Sequence, residues 1–291
     1  MSTKAAFLGL GVMGYPMAGH LANAGISLKV WNRTSTKAEQ WAAEYPGTAS
    51  KSIADAVSGA DLIFACVGAD KDLKEIFEGP DGVIENAGPG AVLVDHTTAS
   101  AGIAEYLARL AGEKQLGFVD APVSGGQQGA EKGQLTIMCG GSEQAFSKAS
   151  PLMEHYAKAL NLMGPVGSGQ RTKMVNQIAI AGLVQGLSEA LHFAEQADLD
   201  VQKVVDVISK GAAQSWQMDN RSATMIADKF DHGFAVDWMR KDLAICLEEA
   251  RKNGAKIPVA ALVDQFYADV QDMGGRRWDT SSLIQRLRSK R

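Results

Sequence analysis

The stretch AAFLGLGVMG, residues 5–14, sets three glycines in the order G-x-G-x-x-G directly behind an apolar run. The run reads as a buried strand over 5–10, and residues 12–24 read as a helix. A strand that turns on glycines into a helix is a phosphate-binding arrangement, the alternative being a glycine turn that binds nothing. Gly9 permits the tight turn, Gly11 lets the backbone approach a pyrophosphate, and Gly14 lets the helix lie close to the strand. The helix start adds N–H groups and a positive dipole end. The loop Gly9, Leu10, Gly11, Val12, Met13 and Gly14 is therefore the candidate dinucleotide cradle.

The following residues continue the alternation that such a loop requires. Strand patterns fall at 27–32, 61–67, 90–98, 117–126 and 133–141, and helical patterns at 34–45, 71–79, 100–113 and 143–156. DLIFACV (61–67) is apolar without interruption, as a strand covered on both faces must be. Repeated βα units predict an α/β fold with a doubly wound, mostly parallel sheet. Beyond residues 161–170 the strand patterns stop. A proline-free helical pattern runs from about 170 to 196, followed by helical segments near 200–210, 214–229, 236–253 and 258–273. The boundary is placed near Gly164–Gly167, giving a dinucleotide-binding domain over 1–164 and an all-helical domain over 165–291.

The end of the second strand reads the cofactor's ribose. Here it carries Asn32, Arg33 and Thr34, with no acid to hold a 2′-hydroxyl. A guanidinium at Arg33 can pair with a 2′-phosphate, which favours NADP; if it stacks on adenine instead, NAD also fits. Val67 and Gly68 end the next strand of the cleft. Thr97 and Thr98 either reach the nicotinamide ribose or cap helix 100–113.

Four further segments are candidates for the site. DAPVSGG ends a strand in Ser124, Gly125 and Gly126, which form either a small nest of N–H groups for a carboxylate or a plain turn. GQRTKMVNQ (169–177) opens the long helix and puts Lys173, Asn176 and Gln177 on one face. Lysine is rarely buried, and a desolvated one loses proton affinity and can serve as an acid–base group; the alternative is an exposed first-turn lysine. Arg240, Lys241 and Asp242 form either a surface ion cluster or a set in which Lys241 points into the cleft. SWQMDNR (215–221) shapes a pocket or an interface, or packs Trp216 into the core, which is the default reading.

Composition narrows the partners. The 291 residues are 46% hydrophobic and 21% charged, with a net charge of −4, which argues against nucleic acid. The basic RLRSKR at 286–291 reads as a solvated helix end. Cys66, Cys139 and Cys246 are dispersed and the five histidines lack ligand spacing, so no metal site is expected. No signal-peptide pattern precedes the glycines, and no apolar run approaches the ~18–20 residues of a membrane span. A cytoplasmic location and no membrane association are the expectation.

Together FLGLGVMGYPMAGHLANAG, DHTTAS, DAPVSGG, GSGQRTKMVNQ and RKDL resemble the β-hydroxyacid dehydrogenase family over nearly the whole chain. The resemblance implies a Rossmann domain joined by a long helix to an all-helical domain, often assembled as homodimers or homotetramers. It implies hydride transfer between NADP or NAD and a small β-hydroxy acid or its semialdehyde. It further implies Lys173 as the catalytic lysine, Asn176 as its support, Ser124–Gly126 with Gln177 around the substrate carboxylate, and Thr98 and Lys241 against the nicotinamide half. Three positions depart from the family's pattern. His96 and Thr97 stand where a small residue and a serine are common, and Gln177 replaces a second asparagine. His96 is expected to be a strand-end histidine with an exposed ring. Imine reductases share the architecture but commonly lack the lysine, and a non-catalytic NAD(P)-binding protein would have no use for Lys173, Asn176 and Ser124 together.

Overall fold

The structure is a computed structural model that describes residues 3–289. It comprises two compact units that meet in sequence between Lys173 and Met174.

The first unit alternates strands and helices: β1 (Lys4–Leu8), α1 (Gly14–Asn23), β2 (Ser27–Trp31), α2 (Ser35–Glu44), β3 (Thr48–Ala49), α3 (Ile53–Val57), β4 (Leu62–Ala65), α4 (Asp70–Phe77), α5 (Val83–Asn86), β5 (Val92–Asp95), α6 (Ala101–Glu113), β6 (Gly117–Asp120), β7 (Val123–Ser124), α7 (Gly126–Glu131), β8 (Leu135–Gly141), α8 (Glu143–Met153) and β9 (Ala157–Gly164). The strands form one sheet in the order β3-β2-β1-β4-β5-β6-β8-β7, with β9 on β8. The order reverses at β1, and the crevice at such a switch point is where open α/β sheets bind ligands. Every pairing from β3 across to β6 is parallel.

Side chains alternate across this sheet into two cores. Phe7, Phe64 and Val94 face one, with Met17, Leu21 and Trp41. Leu8, Ile63 and Leu93 face the other, with Phe77, Ile103 and Leu107. All four residues of β4, and likewise of β5, are buried, which accounts for their unbroken apolar runs.

The far end of the sheet differs from simple βα repetition. β8 runs antiparallel to β6 and β7, because Ala121–Gln134 returns the chain through the short β7 and α7 rather than a full crossover helix. β9 is a strand that the apolar pattern does not announce. Among the described residues it pairs only with β8; it largely alternates half-buried and exposed positions, and so carries Lys158 and Asn161.

A 29-residue helix, α9 (Ser168–Gln196), runs from the first unit into the second. The second unit continues with α10 (Val201–Ile208), α11 (Trp216–Ile226), α12 (Val236–Asn253), α13 (Pro258–Asp272) and α14 (Leu283–Arg288). Gly254, in the left-handed region at φ 79°, closes α12, and Pro258 opens α13. Ala181, Val184, Leu187 and Leu191 of α9 recur at helical spacing and are buried, the first two with Met239, Val263 and Tyr267, the others with Met218 and Ile284.

Two expectations about this unit are corrected. Trp216 is 47% exposed and lies under the Arg221 guanidinium, 5.1 Å from the ring centre, instead of packing inside. The basic C-terminal segment is not simply solvated: Arg286 pairs with Asp269, and Arg288 pairs with Glu195 and Asp228. Lys290 and Arg291 of that segment lie outside the described residues. Among the described residues no helix is long and apolar enough to cross a membrane, and no cluster of metal-ligating side chains occurs.

Candidate active site

The glycine loop leaves β1 at the switch point. Gly9 donates its N–H to Trp31 O at 2.9 Å with φ at 95°, and a Cβ there would lie 2.3 Å from Cys66 O. A Cβ on Gly14 would lie 2.0 Å from Gly9 O. Both are glycines because the chain packs against itself at those points. Gly11 differs: a Cβ there would meet nothing within 4 Å, so the space above its backbone is open. Val12 beside it is 60% exposed, and among the described residues no side chain caps the N-terminus of α1 at Met13. Open space, an uncapped helix start and exposed backbone fit a pyrophosphate.

Asn32 braces this loop. Its Oδ1 accepts from Leu10 N at 2.9 Å and its Nδ2 donates to Thr34 O at 3.1 Å. Arg33 projects from the end of β2, largely exposed, and pairs with Asp72 at 3.2 Å and Glu75 at 3.6 Å on α4. Thr34 holds the N-cap position of α2 without a side-chain cap bond.

The next two strand ends are tied together. Thr97 Oγ1 accepts from Val67 N at 3.0 Å, beside Gly68, and Asp95 Oδ1 accepts from Thr97 N at 2.9 Å. The cap of α6 is Ser100, which accepts from Ile103 N and donates to Asp70. Neither threonine therefore caps the helix. The Thr97 hydroxyl braces a neighbouring strand end, while Thr98 is half-buried next to it.

Ser124 ends β7, and Gly125 and Gly126 follow at φ 130° and 61°, exposed, leading into α7. Positive φ at two successive residues explains the paired glycines. His96, expected at the surface, is instead buried. Its Nδ1 donates to Ala121 O at 2.7 Å, and its Nε2 accepts from Tyr156 Oη at 2.9 Å. Burial holds its pKa down to about 4, so the ring is neutral. It stacks on Phe64 and fixes the strand end that leads to Ser124.

The beginning of α9 is anchored by a residue that the sequence reading passed over. Asp120, buried at the end of β6, accepts from Gly167 N and Gln170 N at 2.8 Å each. Its neighbour in register is Asp95, equally buried. Gly169 has no room for a side chain, since a Cβ would lie 2.4 Å from Met138 O. Gln170 is buried and bonds through its amide to Thr97 O and Ala99 N. One turn on, Lys173 is only 7% exposed, so it is not an exposed first-turn lysine.

Within the second unit a separate polar cluster forms. Asn176 Nδ2 donates to Gln177 Oε1 at 2.8 Å, and Gln177 Nε2 donates to Asp242 Oδ2 at 2.6 Å. Asp242 is buried and its other oxygen lies 3.2 Å from Lys241 Nζ. Asn176, Gln177 and Lys241 are thus joined through Asp242. Arg240 turns elsewhere, to Asp264 and Gln271, so these three neighbours are no surface ion cluster.

Residues 4–164 match the family model described as the NAD binding domain of 6-phosphogluconate dehydrogenase. Residues 167–287 match that described as NAD-binding of NADP-dependent 3-hydroxyisobutyrate dehydrogenase. An uncharacterised oxidoreductase of Shewanella frigidimarina is 56% identical over 288 residues, 99% of each chain. A probable 3-hydroxyisobutyrate dehydrogenase-like 1 of Arabidopsis thaliana, mitochondrial, is 38% identical over 97% of this chain and 84% of its own. The solved structure of Mycobacterium tuberculosis 3-hydroxyisobutyrate dehydrogenase with L-serine superposes with a TM-score of 0.90 at 29% identity, over 99% of this chain and all of that one.

Proposed function

Because this chain belongs to the β-hydroxyacid dehydrogenase family, we propose that it moves a hydride between NADP and a small β-hydroxy acid or the matching semialdehyde, with Lys173 as the general acid–base group. The observation that carries the assignment is the burial of the Lys173 side chain, one turn beyond the Asp120-anchored start of α9.

When bound, the nicotinamide supplies the hydride acceptor or donor. Neutral Lys173 takes the hydroxyl proton in oxidation. In reduction the ammonium form returns a proton to the developing alkoxide and stabilises its charge. Ser124, Gly125 and Gly126 hold the substrate carboxylate and so orient the reacting carbon. Asn176 supports Lys173 and touches substrate, and Gln177 helps to bind the substrate. Thr98 and Lys241 address the nicotinamide half, and the Gly9–Gly14 loop, Asn32–Thr34, Val67 and Gly68 the remainder. Arg33, with no acid at 32–34, supports a preference for the 2′-phosphate. Asp72 and Glu75 share its guanidinium, which supports continued use of NAD beside NADP. Exposed Val175, Leu183 and Phe193 on α9 support a homodimer or homotetramer, and the wide spacing of Cys66, Cys139 and Cys246 in the sequence supports a cytoplasmic setting.

The test is a panel of short hydroxy acids and semialdehydes, each assayed with both cofactors, alongside cyclic imines. Turnover of hydroxy acids but not imines is expected. Turnover of imines alone, or of nothing on the panel despite dinucleotide binding, would sink the reading.

A further inference from the structure

We propose that Gln170 is a positioning residue that fixes Thr98 relative to Lys173. The inference rests on the roles given above to those two residues.

The Gln170 side chain is 1% exposed. Its Nε2 donates to Thr97 O at 2.7 Å and its Oε1 accepts from Ala99 N at 3.0 Å. One carboxamide thus bonds the residue before Thr98 and the residue after it, as a neighbouring strand would. Its backbone N–H is held by Asp120 Oδ2 at 2.8 Å, so the clamp itself cannot drift. Lys173 lies three residues further along the same helix, on the same face, at a rise of roughly 4.5 Å. A single side chain therefore links the loop assigned to the nicotinamide ribose with the helical turn assigned to proton transfer. Its loss frees the loop while the helix stays anchored by Asp120 at β6.

The residue type matters as much as its size. Methionine matches the volume but neither donates nor accepts in this way. An ionised glutamate can still accept from Ala99 N but sets a second oxygen against Thr97 O. A protonated glutamate offers one donor and one acceptor, as glutamine does.

The experiment compares the wild-type protein with Gln170→Met and Gln170→Glu in three measurements. These are turnover, the primary isotope effect with substrate deuterated at the carbinol carbon, and binding of the reduced dinucleotide followed by its fluorescence. Gln170→Met should lower kcat about 10- to 100-fold, the loss expected for a misplacement of about 1 Å. It should raise the isotope effect and change dinucleotide affinity less than about threefold. Relative to wild type, Gln170→Glu should recover activity as the pH falls and its carboxyl protonates. A kcat of Gln170→Met within about threefold of wild type, with the isotope effect unmoved, overturns the inference alone. If Gln170→Met does not fold, a Gln170→Glu-to-wild-type ratio that is flat with pH overturns it. A wild-type protein that binds the dinucleotide yet turns over nothing on the panel overturns the underlying functional reading, and this inference with it.

Discussion

Asp95 and Asp120 face one another in register on adjacent parallel strands, both fully buried, and only one of them is well supplied with donors. Asp120 accepts from two backbone N–H groups at the start of α9, while Asp95 Oδ2 has no hydrogen-bond partner among the described residues. Burial raises Asp95 to about 7 and Asp120 to about 6, the N–H groups pulling against the rise at Asp120. Asp95 is therefore the member that takes up a proton first as pH falls.

This has a signed consequence for stability. An unfolded aspartate titrates near ~4, so between about 4 and 7 the folded protein holds a proton that the unfolded chain has released. The Asp95 contribution is fully present below that window, declines as pH rises through it, and is gone above it. Asp95→Asn, a neutral replacement of the same shape, should match wild type near pH 4 and exceed it at pH 8, by on the order of a few kcal/mol. Thermal unfolding at the two pH values measures this. A stability difference that is constant with pH would contradict the assignment.

Lys173→Ala should reduce kcat by roughly 10²- to 10⁴-fold, the usual contribution of a positioned acid–base group. Dinucleotide affinity should change little. Steady-state kinetics with a fluorescence titration separate the two effects, and retention of most of the wild-type turnover would remove Lys173 from the chemistry.

Arg33 sits between two possible partners. Asp72 and Glu75 hold its guanidinium now, and a 2′-phosphate would compete for it. Arg33→Ala should cut kcat/KM for the phosphorylated cofactor about tenfold or more and leave the value for NAD nearly unchanged. Asp72→Asn combined with Glu75→Gln should shift the ratio the other way. Equal losses with both cofactors after Arg33→Ala would mean that the side chain recognises adenine only.

The glycines of the loop should separate by role. In Gly14→Ala the new methyl would meet the Gly9 carbonyl at 2.0 Å, so a loss of about 2–3 kcal/mol or more in denaturant unfolding is expected. Gly11→Ala has open space and an ordinary φ, and should keep stability within about 0.5 kcal/mol. Its dinucleotide Kd should nevertheless rise at least tenfold. Unimpaired binding by Gly11→Ala would place the pyrophosphate elsewhere.

What the sequence revealed follows the range of the forces involved. The glycine fingerprint, the apolar runs of β4 and β5 and the loss of strand patterns beyond Gly164 are local, with periods of two or 3.6 residues. β9 was illegible because a strand with one partner need not be apolar, and among the described residues it pairs with β8 alone. His96 gave no sign of burial because its two partners are 25 and 60 residues away. The Gln177–Asp242 bond spans 65 residues, and the Gln170 clamp more than 70. A signal for Asp95 and Asp120 is nevertheless local: VLVD and GFVD both end an apolar strand in an aspartate, where a charge needs a reason to be buried.

The anchoring of α9 also dictates where the polypeptide can be severed. A fragment that stops at Gly164 would strip Asp120 of the N–H groups of Gly167 and Gln170, and Thr97 and Ala99 of the Gln170 amide. It would carry an unanswered carboxylate in its interior and should aggregate. Extending the cut to just past Lys173 retains all of these bonds, so the shortest nucleotide-binding piece able to stand alone must keep the first turns of a helix whose remaining length belongs to the other unit.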